Sequence, residues 1–146
     1  MQMSPKEYAQ YVEKIAPRSP LGKDMLCAFV IGGLICTLGQ FIRELWLGTG
    51  LSEEDAGTAC SVTLIFLSVL FTGLSLYDDL AKLGGAGTLV PITGFANAVA
   101  APAIEFKAEG FITGMAAKMF AIAGPVIVFG TAASVLYGVV YWLCTI

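Results

Sequence analysis

Long uncharged stretches separated by short charged punctuation organise this chain. Residues Met25 to Ile42 carry no formal charge, nor do Ala56 to Tyr77, and a further uncharged run extends from Met119 to Ile146. At 1.5 Å per residue the first makes about 27 Å of helix and the second about 33 Å, each close to the apolar thickness of a bilayer. Trp46 flanks the first run at a position suited to the membrane interface. The pattern predicts spans over about 25–46, 56–77 and 119–144. Between the first two lies an acidic connector with Glu53, Glu54 and Asp55, where Ser52 is placed to cap the second helix.

The stretch from Leu83 to Ile104 is also uncharged but reads differently. It contains Gly84-Gly85-Ala86-Gly87, then Pro91, Thr93-Gly94, Asn97 and Pro102. Glycine and proline at this density oppose one long helix. Lipid does not tolerate unsatisfied backbone, so a non-helical piece must be buried in protein or line water. The expectation is a broken or re-entrant element over about 84–117, against the plainer reading of a tightly packed helix rich in small residues.

Ahead of the first span, Ser4-Pro5-Lys6-Glu7 has the spacing of a capping box. Tyr8, Tyr11, Val12 and Ile15 then share one helical face, and Ala16-Pro17 ends the pattern. Residues 1–20 are thus expected to form an amphipathic segment at the bilayer surface or against a partner. Residues 21–146 form a single transmembrane domain. Lys6, Lys14, Arg18 and Lys23 precede the first span, whereas its far connector has Arg43 alone, which places the N-terminus in the cytoplasm.

Composition agrees with a lipid solvent. Of 146 residues, 57% are hydrophobic and 13% charged, and mean hydropathy is +0.80. A soluble domain carries about a quarter charged residues. The expected fold is an all-α integral membrane protein, a small bundle of three to four transmembrane helices around the broken central element. The net charge of -3 offers no basic surface for nucleic acid. The absence of histidine removes the commonest general base and most zinc sites. Cys27, Cys36, Cys60 and Cys144 are scattered, without a CxxC pair, so neither metal nor disulfide chemistry is expected. No nucleophile–base pair stands out. An enzyme is not expected, and no cofactor.

Polar groups at membrane depth are the candidate functional residues. Glu105 and Glu109 are four apart, so a helix would put both on one face, with Lys107 between them and Lys118 available to pair across the bundle. The alternative is a solvated loop between two spans. Thr93 and Asn97, also four apart, could bond a neighbouring helix or line a polar pathway. Gly84, Gly85 and Gly87 could turn backbone amides toward an anion. Gly110 and Gly114 form a GxxxG pair, and Gly130, Ser134 and Gly138 make a small-residue seam near the aromatic cluster of Tyr137, Tyr141 and Trp142. That seam suits either self-association or packing within the chain.

The central block Gly85-Ala86-Gly87, Val90-Pro91-Ile92-Thr93-Gly94-Phe95-Ala96-Asn97 and Glu105-Phe106-Lys107-Ala108-Glu109-Gly110 resembles the stage V sporulation protein AC/AE family. So do Met119 to Gly130 and, in the first span, Val30 to Cys36 with Gly39-Gln40. The resemblance covers roughly residues 25–140, and the polar N-terminal extension favours the AC branch over the shorter AE branch. It implies a spoVA subunit in the forespore or spore inner membrane of an endospore-forming bacterium. Such a subunit would move dipicolinic acid, with calcium, inward during sporulation and outward at germination; the Gly-hinged broken element separately suggests release gated by membrane tension. It also implies partners: other spoVA membrane subunits and the soluble AD subunit. The competing expectation is a membrane scaffold that anchors soluble partners without forming the pore. A chain this small is expected to oligomerise, with itself or with other subunits, to enclose a route.

Overall fold

A computed structural model describes Ser4, Glu7, Tyr8, Tyr11, Val12, Ile15 and residues 20–145. The protein is an all-α membrane protein, and no strand occurs among the described residues. Helix α1 spans Leu21–Gly48 and α2 spans Glu53–Gly73. Two short helices follow, α3 at Leu76–Gly84 and α4 at Ala86–Leu89, then α5 at Ile92–Glu105. A 3₁₀ turn at Lys107–Glu109 and a π-helical turn at Phe111–Ala116 lead into α6, Ala117–Thr145.

Among the described residues, three helical stretches are long and apolar enough to cross a membrane: Leu21–Gly48, Glu53–Gly73 and Phe111–Thr145. The 14 residues of α5 make about 21 Å of helix, short of a full crossing. Large apolar side chains such as Phe29, Phe66 and Phe129 point outward. They are the surface that hydrocarbon solvates in place of water.

Helices α1 and α2 form an antiparallel pair joined by a tight connector. The Cys60 thiol donates to the Gly39 carbonyl at 3.2 Å, and nearer the connector Arg43 meets Glu53 at 3.4 Å. Between these two contacts the residue number rises on α1 and falls on α2. Ser52 caps α2 as its position suggested: its hydroxyl oxygen accepts from the Asp55 amide at 3.2 Å and donates to the Asp55 carboxylate at 2.7 Å. Trp46 donates its indole N–H to Thr63 Oγ1 at 3.2 Å, tying the interfacial end of α1 to α2.

The central element is broken. Ser75, at φ 58°, turns the chain out of α2, and Gly85, at φ 47°, separates α3 from α4. Pro91, extended at ψ 162°, opens α5. Two hydrogen bonds give the direction of α5. Ser68 on α2 bonds Thr93, and Thr72 bonds Asn97, each pair 25 residues apart. A constant offset means that α5 runs parallel to α2. The chain therefore turns back against α1 and α2 through α3 and α4, and α5 then runs in the direction of α2, a hairpin of the re-entrant type. Helix α6 then starts beside the end of α5 and packs against it.

Several sequence expectations are corrected here. Gly110 and Gly114 do not form an interhelical seam. Gly110 adopts φ 101° in the turn before the π segment, and a Cβ on Gly114 would lie 2.6 Å from Glu109 Cβ. These glycines let the chain fold tightly on itself. Glu105 and Glu109 do not share a helical face, because α5 ends at Glu105 and Glu109 lies in the 3₁₀ turn. The segment is the solvated loop, with Glu105, Lys107 and Glu109 all exposed. Lys118 pairs with neither glutamate; its ammonium stands over the Phe106 ring, 4.9 Å from the centroid.

Gly130 and Gly138 have open space where a Cβ would project, and residues 125–145 are all exposed. The seam on α6 therefore takes no part in packing among the described residues. Ala123 is the last buried position of α6, and Pro125 follows directly.

The N-terminal capping box forms. The Ser4 amide donates to Glu7 Oε2 at 2.9 Å, and the Glu7 amide donates to Ser4 Oγ at 3.3 Å. Tyr8, Tyr11 and Ile15 are helical and exposed. The expected roles of Pro5, Lys6, Gln10, Glu13, Lys14 and the Ala16-Pro17 stop lie outside the described residues.

Candidate functional site

Hydroxyls and one amide converge where the hairpin meets α2. Ser68 is 1% exposed and donates its Oγ–H to the Thr93 carbonyl at 2.6 Å. One turn further along, Thr72 Oγ1 lies 2.8 Å from Asn97 Oδ1 and 2.7 Å from its own Ser68 carbonyl. A single hydroxyl proton cannot serve both acceptors. The pair is complete when Asn97 turns its amide nitrogen toward Thr72, an exchange that leaves its shape unchanged.

Tyr77, on α3, closes the cluster from the other side. It is 3% exposed; its hydroxyl donates to the Thr88 carbonyl at 2.9 Å and lies 3.1 Å from Thr93 Oγ1. The physical need for this bond comes from the helix break. Pro91 has no N–H, and its extended backbone keeps α4 from running on into α5, so carbonyls at the end of α4 need other donors. In a lipid-facing protein such carbonyls must be satisfied internally. Tyr77 satisfies Thr88, and no buried side-chain polar atom is left unpaired among the described residues.

Glycine makes the close approach possible. A Cβ on Gly94 would meet the carbonyl oxygens of Thr88 and Leu89, and one on Gly87 would meet the Ala28 carbonyl of α1. A Cβ on Gly32 would lie 3.3 Å from Gly87, and one on Gly84 would be 2.9 Å from Ile31. The hairpin thus seats on α1 through small residues, Ala28 and Gly32 facing Gly87, as close helix contacts in membranes require. This revises the expected use of Gly84, Gly85 and Gly87 as an amide cradle. Gly84 and Gly87 face α1, and the Gly85 amide is committed to the Ala81 carbonyl at 2.9 Å.

Below the cluster a cavity of about 230 Å³ opens between α2 and α5, lined by Thr72, Ser75, Asp78, Asn97 and Glu105 among others. Water occupies about 30 Å³ per molecule, so this volume holds several waters or one small organic ion. Two carboxylates, two hydroxyls and an amide give it a mixed polar lining. A separate cavity of about 300 Å³, bounded by Ile65, Val69, Phe95, Val99 and Met119, is almost wholly apolar and suits acyl chains better.

Of the sequence candidates, the structure brings Thr93, Asn97 and Glu105 to this region. Lys107, Glu109 and Lys118 stay outside it, in or beside the solvated turn. Ser68, Thr72, Tyr77 and Asp78 belong to the site but were not singled out by the sequence reading. A usable signal existed: Ser68 and Thr72 are four apart, as are Thr93 and Asn97, so two polar pairs in matching register can zip two helices together.

No solved structure matches this chain. Stage V sporulation protein AC of Bacillus subtilis (strain 168) is 40% identical over 136 residues, which is 92% of this chain and 91% of that protein. A family model described as SpoVAC/SpoVAEB sporulation membrane protein matches residues 24–140. With most of its length covered by that match, the chain belongs to the SpoVAC/SpoVAEB family of sporulation membrane proteins.

Proposed function

We propose that this sporulation membrane protein is a channel subunit that passes dipicolinic acid, with calcium, across the forespore or spore inner membrane. Its N-terminus lies in the cytoplasm, and it works with other spoVA membrane subunits and the soluble AD subunit. The observation that carries the reading is the polar cavity against the re-entrant hairpin. A helix that turns back inside a bilayer costs hydrogen bonds that a plain span keeps, and it recurs where a hydrated route needs lining.

The charges on the cavity favour passage of the calcium chelate over the free dianion. Asp78 and Glu105 repel a bare dicarboxylate but attract a cation that neutralises it. The Ser75 hydroxyl and the second N–H of the Asn97 amide supply donors to carboxylate oxygens. The cavity is shallow within one chain, so a continuous route requires neighbouring subunits, to which the bare face of α6 is available.

The test is efflux from liposomes loaded with calcium dipicolinate, followed by terbium luminescence outside. Vesicles carrying the protein, with its partner subunits where needed, should leak dipicolinate well above empty vesicles. Asn97→Leu combined with Thr72→Val should cut that flux about tenfold or more, whereas Lys118→Gln should leave it unchanged. Equal flux from protein-bearing and empty vesicles, with every partner present, would remove the channel reading. The scaffold alternative would then stand, and removal of residues 1–20 should abolish recruitment of the soluble partner.

A further inference from the structure

Helix α1 carries polar side chains on the face turned away from its own bundle. Ala28, Gly32 and Gly39 meet the hairpin or α2, and Ile42 beside them is buried. On the opposite side Gly33, Thr37, Gln40 and Glu44, spaced four, three and four residues apart, share one exposed face. Thr37 donates to the Gly33 carbonyl at 2.8 Å, and the Gln40 amide donates to Glu44 Oε1 at 2.6 Å. The second Glu44 oxygen and the Gln40 carbonyl remain open acceptors. Thr37 and Gln40 lie inside the uncharged run, where lipid offers no donor. Polar side chains at that depth face protein or water.

Helix α6 repeats the spacing. Gly130, Ser134, Tyr137 and Tyr141 share one exposed face, and Ser134 donates to the Gly130 carbonyl at 2.9 Å, as Thr37 does to that of Gly33. Glu44 and Tyr141 each stand four residues before the last residue of their helix. In a topology of two crossings, a re-entrant hairpin and a third crossing, α1 and α6 run the same way through the membrane. The two faces then match in direction and depth as well as in spacing. Tyr137 and Tyr141 are stacked, with ring centroids 6.3 Å apart, and their rings are 73% and 60% exposed, so both hydroxyls are accessible donors.

We propose that α6 of one copy packs on α1 of the next, Gly130 against Gly33 and the tyrosine hydroxyls against Gln40 and Glu44. The glycines set the closest approach, as small residues do between membrane helices. The tyrosines are too large for that point; they fill the gap where the helices splay toward their ends and donate to the acceptors that α1 leaves open. Within one chain the two faces do not meet, because that of α1 looks away from the bundle on which α6 starts. The contact is heterologous, so each end of a row keeps an unused face until a ring closes. Complementary faces on one sequence make a second copy the occupant. The interface does not depend on what such a ring passes.

The test uses the full chain in phospholipid vesicles, with Cys27, Cys36, Cys60 and Cys144 replaced by alanine. Copies bearing Gly33→Cys carry one tag and copies bearing Gly130→Cys another. Both positions have open space around them, so the chain's own packing is undisturbed. Mild oxidation should join the two tags, because facing glycines bring backbones within disulfide reach. Val128→Cys, exposed on the far side of α6, should join to Gly33→Cys at least about tenfold more slowly, its Cβ pointing away. In a second measurement, energy transfer between labelled copies diluted in lipid reports association. Tyr137→Phe with Tyr141→Phe should weaken it about threefold or more, the loss of interhelical hydrogen bonds.

No link between the two tags overturns the interface, as does equal linking of Val128→Cys and Gly130→Cys, which marks random collision. Unchanged association in the double phenylalanine variant overturns the pairing of the tyrosines with Gln40 and Glu44. With other membrane subunits present, Gly130→Cys linking to one of them and never to a second copy overturns the assignment of the occupant. Linked copies that pass no dipicolinate support the interface and remove only the transport reading.

Discussion

A single methyl group at Gly94 would collide with two backbone oxygens, those of Thr88 and Leu89, neither of which can rotate away. Gly94→Ala is therefore expected to destabilise the hairpin by about 1–3 kcal/mol, the range for overpacking a tight contact. Gly130→Ala, on the open face of α6, should be neutral within about 0.5 kcal/mol. Unfolding of the two variants in mixed micelles, compared with the parent, checks both. Ser52→Ala removes the α2 cap and should cost about 1 kcal/mol in the same measurement.

At the other end of the chain, the Ser4 amide and then the Ser4 hydroxyl hold the Glu7 carboxyl below its ordinary value. A lowered value in the folded state means that the cap is fully present above the unfolded carboxylate value and is lost as pH falls through the folded one. The protection of the Ser4 amide, relative to its intrinsic exchange rate, should therefore fall as pH drops through the lowered Glu7 value. In Glu7→Gln it should be insensitive to pH.

Pairs of polar residues, rather than isolated ones, join the elements. Thr72→Val should weaken the α2–α5 contact by about 0.6–2 kcal/mol, the span measured for interhelical hydrogen bonds in membranes. Combined with Asn97→Leu it should cost less than the sum of the single changes, because both remove one bond. A double-mutant cycle in micelles checks this. The same register explains what the sequence made legible. Uncharged runs bounded by charge announce α1, α2 and α6, because lipid imposes that pattern on any crossing helix. Gly84 to Pro102 announces the broken element for the matching backbone reason.

Taken singly, Ser68 and Thr72 did not stand out, because a hydroxyl inside an apolar run has a ready local partner. Thr37, Thr58, Ser61 and Thr63 each donate to the carbonyl four residues back on their own helix. Nothing in composition separates those from Ser68, which reaches another helix instead. Only packing decides. The acidic pair Glu105 and Glu109 misled for a related reason: four-residue spacing aligns side chains only if the helix persists, and α5 stops between them.

At the scale of the molecule, a topology of two crossings, a re-entrant hairpin and a third crossing would put residues 20 and 145 on opposite sides of the membrane. With Cys27, Cys36 and Cys60 replaced, Cys144 should react with an impermeant maleimide from the side opposite an N-terminal tag. Reaction from the same side would require α5 to cross fully, which its length opposes. Such a topology also makes the body uneven through its thickness. One leaflet accommodates α1, α2, α6 and the whole hairpin, whereas the other accommodates only the three crossings. In that topology the protein would be a wedge, wider on the hairpin side, around which lipids splay unequally. Vesicles sorted by diameter should show its density rising or falling with curvature according to which way the wide end is inserted, and deletion of Leu76–Glu105 should abolish that preference.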